Sequence, residues 1–111
     1  MANTFKLKTK ADVGVTTVGI YTATAPVTAT VVIGVTLANT TGQSINVGVG
    51  ISRGVNGDDI KVMNDIPLPQ GSSIEFMQGN KVVLEQNDTV TAVSDTNNSL
   101  DVALTIMEIT P

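Results

Sequence analysis

Ten Asp and Glu residues face six Lys and Arg in this 111-residue chain, and there is no His, Cys or Trp. Those counts decide what chemistry is open. Without His the commonest general base is missing, and without Cys there is no thiol nucleophile, no disulfide and no thiolate metal site. No Gly-x-x-x-x-Gly-Lys-Ser/Thr loop occurs, nor a Gly-x-Gly-x-x-Gly at a strand-to-helix junction, so no phosphate cradle is expected. The densest acidic spot is Asp58-Asp59, which follows Gly54-Val55-Asn56-Gly57. Clustered oxygen ligands suit Ca²⁺, but the spacing is not that of an EF-hand loop. A solvated turn is the expectation there, and no metal or cofactor is expected. Carboxylates that pair in space could hydrolyse a glycosidic bond. Three aromatic residues, Phe5, Tyr21 and Phe76, leave little for the stacking platform of a sugar site. The chain is therefore expected not to be an enzyme.

Lys6, Lys8 and Lys10 alternate with Phe5 and Leu7 and place three cations on one face of a short strand. Such a row either guards a sheet edge against stray pairing or meets an acidic partner. The formal net charge of −4 argues against a general nucleic-acid binder. Only 14% of residues are charged, against about 25% in an ordinary soluble domain, which fits a surface partly covered by other chains. The opening Met1-Ala2-Asn3-Thr4-Phe5-Lys6 lacks a signal peptide's apolar run, and no stretch approaches the roughly 20 apolar residues of a membrane helix. Cytosolic synthesis and no membrane partner are the expectations.

Val, Ile and Thr make up over a third of the chain. β-Branched side chains are stiff at χ1 and suit a pleated surface. Period-2 alternation runs from end to end. Val13, Val15 and Thr17 lead into Val18, Ile20 and Tyr21. Val31, Ile33, Val35 and Leu37 share one face of the next strand. Ile45, Val47, Val49 and Ile51 share a face opposite Asn46, Gly48 and Gly50. Ile60 and Val62 mark a short strand before a Pro-rich turn at 65–71. Ile74 and Phe76, Val82 and Leu84, Val90 and Ala92, and Leu100 to Ile106 follow. Turn signals separate these runs, at 39–42, 54–57, 67–71, 78–80, 86–88 and 95–98. Ser72 to Glu75 formally matches a helix capping box, but the run after it is too short, and strand is expected. Residues 22–30 read as a loop or edge strand, because Pro26 cannot donate to a ladder. Residues 1–12 are either a first strand or an arm that pairs with a neighbouring subunit. Gly48 and Gly50 imply that a second sheet or a neighbouring subunit packs close, or that a bulge lies there.

The expected fold is all-β: a single-domain antiparallel β-sandwich or jelly-roll-like barrel of about eight short strands, spanning residues 1–111.

The segments Ile66–Phe76, Lys81–Asp88, Ser99–Val102 and Glu108-Ile109, with Tyr21–Ala23 and Val31–Asn39 upstream, resemble small virion structural proteins of tailed bacteriophages, those of cyanophages above all. The most distinctive piece is a Leu-Glu-x-Gly-Asp turn at Leu84–Asp88, in which Asn87 stands where Gly is usual. Asn is the next best residue for a left-handed conformation. The resemblance implies a β-sandwich module of capsid, neck or tail appendage. Its first functional implication is a capsid decoration or cement protein, resident in the virion and made in the host cytoplasm. Such a protein would be a homo-oligomer, a trimer by likeness, and would bridge subunits of the major capsid protein. A neck, tail-fibre or spike module that binds a host receptor or carbohydrate is the second implication. The contact candidates are the strand of Lys6, Lys8 and Lys10, the loop of Thr24, Pro26 and Thr28, and the turn of Asn56, Asp58 and Asp59.

Overall fold

A chain rich in Val, Ile and Thr satisfies its backbone by pairing extended segments and then buries one face of each pair. The computed structural model describes residues 2–76 and 82–111, and these form nine strands and one 3₁₀ turn. The strands are β1 (Ala2–Val13), β2 (Val18–Thr22), β3 (Ala29–Asn39), β4 (Ile45–Ser52), β5 (Ile60–Leu68), β6 (Ser73–Phe76), β7 (Val82–Glu85), β8 (Thr89–Ser94) and β9 (Leu100–Thr110). The 3₁₀ turn is Gly54–Asn56.

Two antiparallel sheets result. The first runs β1-β9-β3-β6, with β7 also paired to β3, and the second runs β2-β8-β4-β5. From β1 to β4 the chain alternates between the sheets, and it does so again from β8 to β9, as in a jelly roll. The all-β sandwich expected from the alternation is thus the observed fold. The strands are not uniformly short: β1, β3 and β9 have 12, 11 and 11 residues.

The core lies between Val32, Val35, Leu37, Leu100, Val102, Leu104 and Ile106 of the first sheet and Ile45, Val47, Val49, Ile51, Val90 and Ala92 of the second, all buried. The facings expected for β4, β8 and β9 hold. That of β3 does not. A register shift between Val32 and Gly34 puts Ile33 into a bulge, so Val32 turns inward with Val35 and Leu37 while Val31 faces out. A period-2 reading cannot see an inserted residue.

Other boundaries also moved. Residues 13–21 are not one strand: a bend at 14–17 separates Val13 from β2. Of residues 22–30 the loop is 23–28, as one of the two readings had it, while Thr22 ends β2 and Ala29 opens β3. Pro67 lies inside β5, opposite Asn46, and not in a turn; β5 is the last strand of its sheet, where a missing donor costs no ladder bond. Ser73–Phe76 is strand as expected. The turn expected at 78–80 lies outside the described residues.

Gly48 and Gly50 face away from the core, so the second sheet does not explain them. The ladder of β4 with β5 slips twice, between Val47 and Val49 and between Val49 and Gly50, and β5 backbone crowds in. A Cβ on Gly50 would lie 2.9 Å from the Ile60 carbonyl oxygen and 3.2 Å from Thr91 Oγ1. The bulge reading is the correct one. Gly50→Ala is therefore expected to lower unfolding free energy by about 1–3 kcal/mol in urea titrations. Gly42→Ala, with nothing within 4 Å of the added methyl, should stay within about 0.5 kcal/mol. Equal effects of the two substitutions would contradict this packing.

Candidate assembly interface

β1 is an end strand of the first sheet, and of its twelve residues only Val13 is buried. Its register fixes its facing. Lys6, Lys8 and Lys10 stand opposite Ile106, Leu104 and Val102 of β9, so the lysine face is on the core side, at the open rim of the sandwich. Inward-pointing charge on an end strand is a known guard against edge pairing. Phe5 and Leu7 consequently face outward, and they are 70% and 64% exposed.

That outward face carries a feature the alternation hid. Phe5 is registered with Met107, Met107 with Val31, and Val31 with Val83. Four apolar side chains thus stand side by side across β1, β9, β3 and β7. Leu7 and Ile109 flank this row, and towards the far end of the sheet Thr9, Ala11, Thr36, Ala38 and Ala103 line a shallow depression of small side chains. The bulge at Ile33 is what turns Val31 to this side. Nothing in the sequence pattern distinguished this face from a core face.

The lysine face ends on a buried acid. Lys6 Nζ lies 2.8 Å from Glu108 Oε1, and Tyr21 reaches across from the second sheet to donate its hydroxyl proton to Glu108 Oε2 at 2.7 Å. Thr30 Oγ1 completes the group at 2.9 Å from the Tyr21 hydroxyl. Lys6, then Tyr21, hold the Glu108 carboxyl below its ordinary range, against the opposing effect of burial. Burial, with the adjacent Glu108 charge, pushes the Tyr21 hydroxyl up to about 12.

The two loop candidates come together on the β7–β8 turn. Asn87 has φ 78, so the left-handed position that the resemblance assigns to Gly is real. Its N–H donates to Ala23 O, and the Gln86 side chain donates to Val27 O at 3.0 Å. Thr24, Pro26 and Thr28 are thereby held exposed on the outside of their loop, with Thr28 Oγ1 donating to Ile109 O at 3.1 Å. From the other side Asn56 Nδ2 donates to Gln86 O at 2.8 Å and to Asp88 Oδ1 at 2.9 Å.

Asp88, 1% exposed, is the anchor of this corner and was missed by sequence reasoning. It receives Arg53 Nε at 3.2 Å and the Glu85 N–H at 2.9 Å, while Arg53 also pairs with Glu85. Burial raises the Asp88 carboxyl, but Arg53, Asn56 and the Glu85 amide outweigh it and hold it below its ordinary range. Asp59 Oδ1 accepts the Arg53 N–H at 2.7 Å, which ties that carboxylate to the turn's own backbone. Among the described residues no group of three or more acids is arranged to hold a metal ion. The Lys strand, the 23–28 loop and the 54–59 turn therefore do not form one patch: the loop and the turn share a corner, and the lysines line the adjoining rim.

No protein-family model matches the chain, and no curated protein is similar to it in sequence. The fold is shared with solved structures. A chain from the Bacillus endospore appendages, described as disulfide-linked pili, aligns with TM-score 0.56 at 20% identity over 99% of this chain and 88% of that one. A chain of the IBDV viral particle aligns with TM-score 0.60 at 15% identity over 97% of this chain but 31% of that one, so this chain spans about a third of its length. A capsid chain of a Helicobacter pylori bacteriophage aligns with TM-score 0.57 at 13% identity over 98% and 89%. At these identities the likeness is one of fold.

Two measurements check the polar groups. Tyr21 is the only tyrosine and there is no Trp, so phenolate absorbance reports it alone. Its folded value lies above the unfolded value of about 10, so its contribution to stability is complete below that pH and is lost as pH rises towards 12. The absorbance midpoint should sit near 12 in the folded chain, and a midpoint at 10 would contradict the buried pair. Asp88 and Glu108 have the opposite sign: their contributions are present above the unfolded carboxylate range of about 4 and are lost as pH falls through the lowered folded values. Asp88→Asn should cost about 1–3 kcal/mol at neutral pH and flatten the loss of stability in acid. An unchanged denaturation midpoint at neutral pH would contradict the anchoring role.

Proposed function

We propose that the chain is a structural subunit of a bacteriophage virion, and specifically a decoration or cement protein that bridges subunits of the major capsid protein. The observation that carries this reading is the outward-facing apolar row Phe5–Met107–Val31–Val83 of the first sheet, exposed at Phe5 and Val83 and half-buried between them. A free sandwich turns its polar side outward, whereas a sheet face of Phe, Met and Val is suited to burial against another protein. The jelly roll is a recurrent capsid architecture, and the phage capsid neighbour has the same fold over nearly its whole length. The resemblance of the 66–109 segments to phage virion proteins points the same way.

The mechanism is mechanical. A standard contact covers about 800 Å² on each partner, and this face supplies its apolar centre. Glu75, Glu85 and Asp101, together with the rim lysines, supply polar surroundings that select register and orientation. Thr24, Pro26, Thr28, Asn56, Asp58 and Asp59 present a second corner, which carries the Asp58-Asp59 pair, for a neighbouring copy, in keeping with a homo-oligomer, a trimer by likeness. The pilus neighbour is described as disulfide-linked. This chain has no Cys, so its assembly contacts do not include disulfides.

Electron microscopy of intact particles tests the placement. Icosahedrally repeated copies on the shell are expected; copies confined to the tail or a vertex would overturn it. Phe5→Ser and Val83→Ser, at positions 70% and 61% exposed, should change the stability of the free chain by less than about 1 kcal/mol. Each should nevertheless weaken rebinding to particles stripped of the protein at least tenfold. Rebinding equal to that of the unaltered chain would count against this face as the contact.

A further inference from the structure

The attachment of β1 is unlike that of any other long strand in the molecule. β3, β4 and β9 are held by buried Val, Leu and Ile side chains, whereas β1 buries only Val13, at its very end. What holds residues 2–10 is the backbone ladder to β9, from Ala2 opposite Thr110 to Lys10 opposite Val102, and the Lys6–Glu108 ion pair. Every one of these contacts could be made equally well by the β1 of another copy.

The chain also has a hinge where such an exchange needs one. The β1–β9 register breaks between Lys10 and Val13. Asp12, within the break, has φ 57, a left-handed conformation that a non-glycine residue holds at a cost. From Val13 onward the chain is pinned: Val13 is 1% exposed, Ser99 N–H donates to its carbonyl at 3.1 Å, and Ser94 N–H donates to Gly14 O at 2.9 Å. In its present turn Asp12 is tied down by its own N–H donating to Asp101 Oδ1 at 3.1 Å. Extending the chain at 11–12 releases the strained residue and carries residues 2–10 away as a unit. A strained short hinge next to a separable end strand is the arrangement that favours swapping.

The acceptor is selective. Removing β1 from β9 would take from the Glu108 carboxylate, 8% exposed in the closed chain, its cation and leave it only the Tyr21 hydroxyl, which is costly. A strand added at this edge must carry a cation at the position registered with Ile106, between a Thr opposite Glu108 and a Lys opposite Leu104. The β1 of a second copy meets that requirement with Thr4, Lys6 and Lys8.

We infer that β1 is an exchangeable strand: on assembly, β1 of one copy pairs with β9 of the next and places its Lys6 on that copy's Glu108. Handing the strand on around a ring leaves no β9 edge unpaired and closes a cyclic oligomer. This inference goes beyond the shell reading and does not rest on it. Exchange in a protein absent from the shell would support the one and sink the other.

The chain has no Cys, which makes engineered cross-links unambiguous. Thr9→Cys and Ala103→Cys are made in separate chains, since Thr9 and Ala103 are register partners. The two are mixed at high concentration, warmed and oxidised. A covalent heterodimer is expected, and little or none when Thr9→Cys is mixed with Ile109→Cys, which lies six residues out of register. No heterodimer, or equal yields from both mixtures, would overturn the exchange. A second experiment mixes Lys6→Glu with Glu108→Lys. Each chain alone juxtaposes like charges, but exchange between the two restores an opposite pair at both sites. A mixed oligomer that melts above either parent is expected; a mixture that behaves as the sum of its parts would overturn the proposal. Should either charge variant fail to fold alone, the cysteine chains, which keep Lys6 and Glu108, decide the matter.

Discussion

The carboxylate of Glu108 constrains everything around the open rim of this sandwich. It sits on the inner face of β9, close to the end of the strand, where apolar residues of the two sheets no longer meet. A buried carboxylate without partners would neutralise or unfold its surroundings. Tyr21 supplies a donor from the opposite sheet, Thr30 orients that donor, and Lys6 supplies the charge. One group therefore links the two sheets to each other and to the end strand. Further along the rim no second ion pair among the described residues holds β1, and its outward side chains Phe5 and Leu7 are exposed.

The energetics follow from composition. Val and Ile predominate over Leu, and the described aromatic side chains are one in the rim, Tyr21, and one on the outer face, Phe5. Each fully buried aliphatic side chain stabilises by about 1.5–3 kcal/mol, and a domain's net stability is a small difference between large terms. In that balance the two polar groups, Glu108 with Tyr21 and Lys6, and Asp88 with Arg53 and Asn56, matter more than their number suggests. They close opposite sides of the same end of the sandwich. They also leave the apolar face of the first sheet without any function inside the monomer, which is the physical reason for reading the chain as part of an assembly.

Where the backbone keeps strict period 2, the sequence was a sufficient guide. The inward sets of β4, β8 and β9 follow from alternation alone, and Asn87 occupies the left-handed turn position that its resemblance to a glycine-bearing turn required. Where the backbone slips, alternation misleads. One bulge residue, Ile33, reversed the facing of Val31 and Val32, and two slips in the β4–β5 ladder account for Gly48 and Gly50 without any external partner. On β1 the difficulty was different: neither of its faces is buried, so Lys6 and Phe5 gave no sign of which side met the core. Arg53 and Asp88 are 35 residues apart, and Tyr21 and Glu108 are 87 apart. Only the fold brings these pairs together, and no local pattern marks them. The contact candidates at Thr24 to Thr28 and Asn56 to Asp59 lie far apart in sequence, and one turn, Glu85–Asp88, supports both.

We infer that β1 is held weakly in the free chain and becomes secure only in an assembly. Native-state hydrogen exchange measures this directly, residue by residue. In the free chain the hydrogen-bonded amides of residues 3–10 should exchange through local opening, at free energies well below those of β3, β4 and β9, and should become protected once the chain is assembled. If those amides exchange only by global unfolding, as slowly as the amides of β4 in the same free chain, β1 is an integral strand of the monomer and the account is wrong.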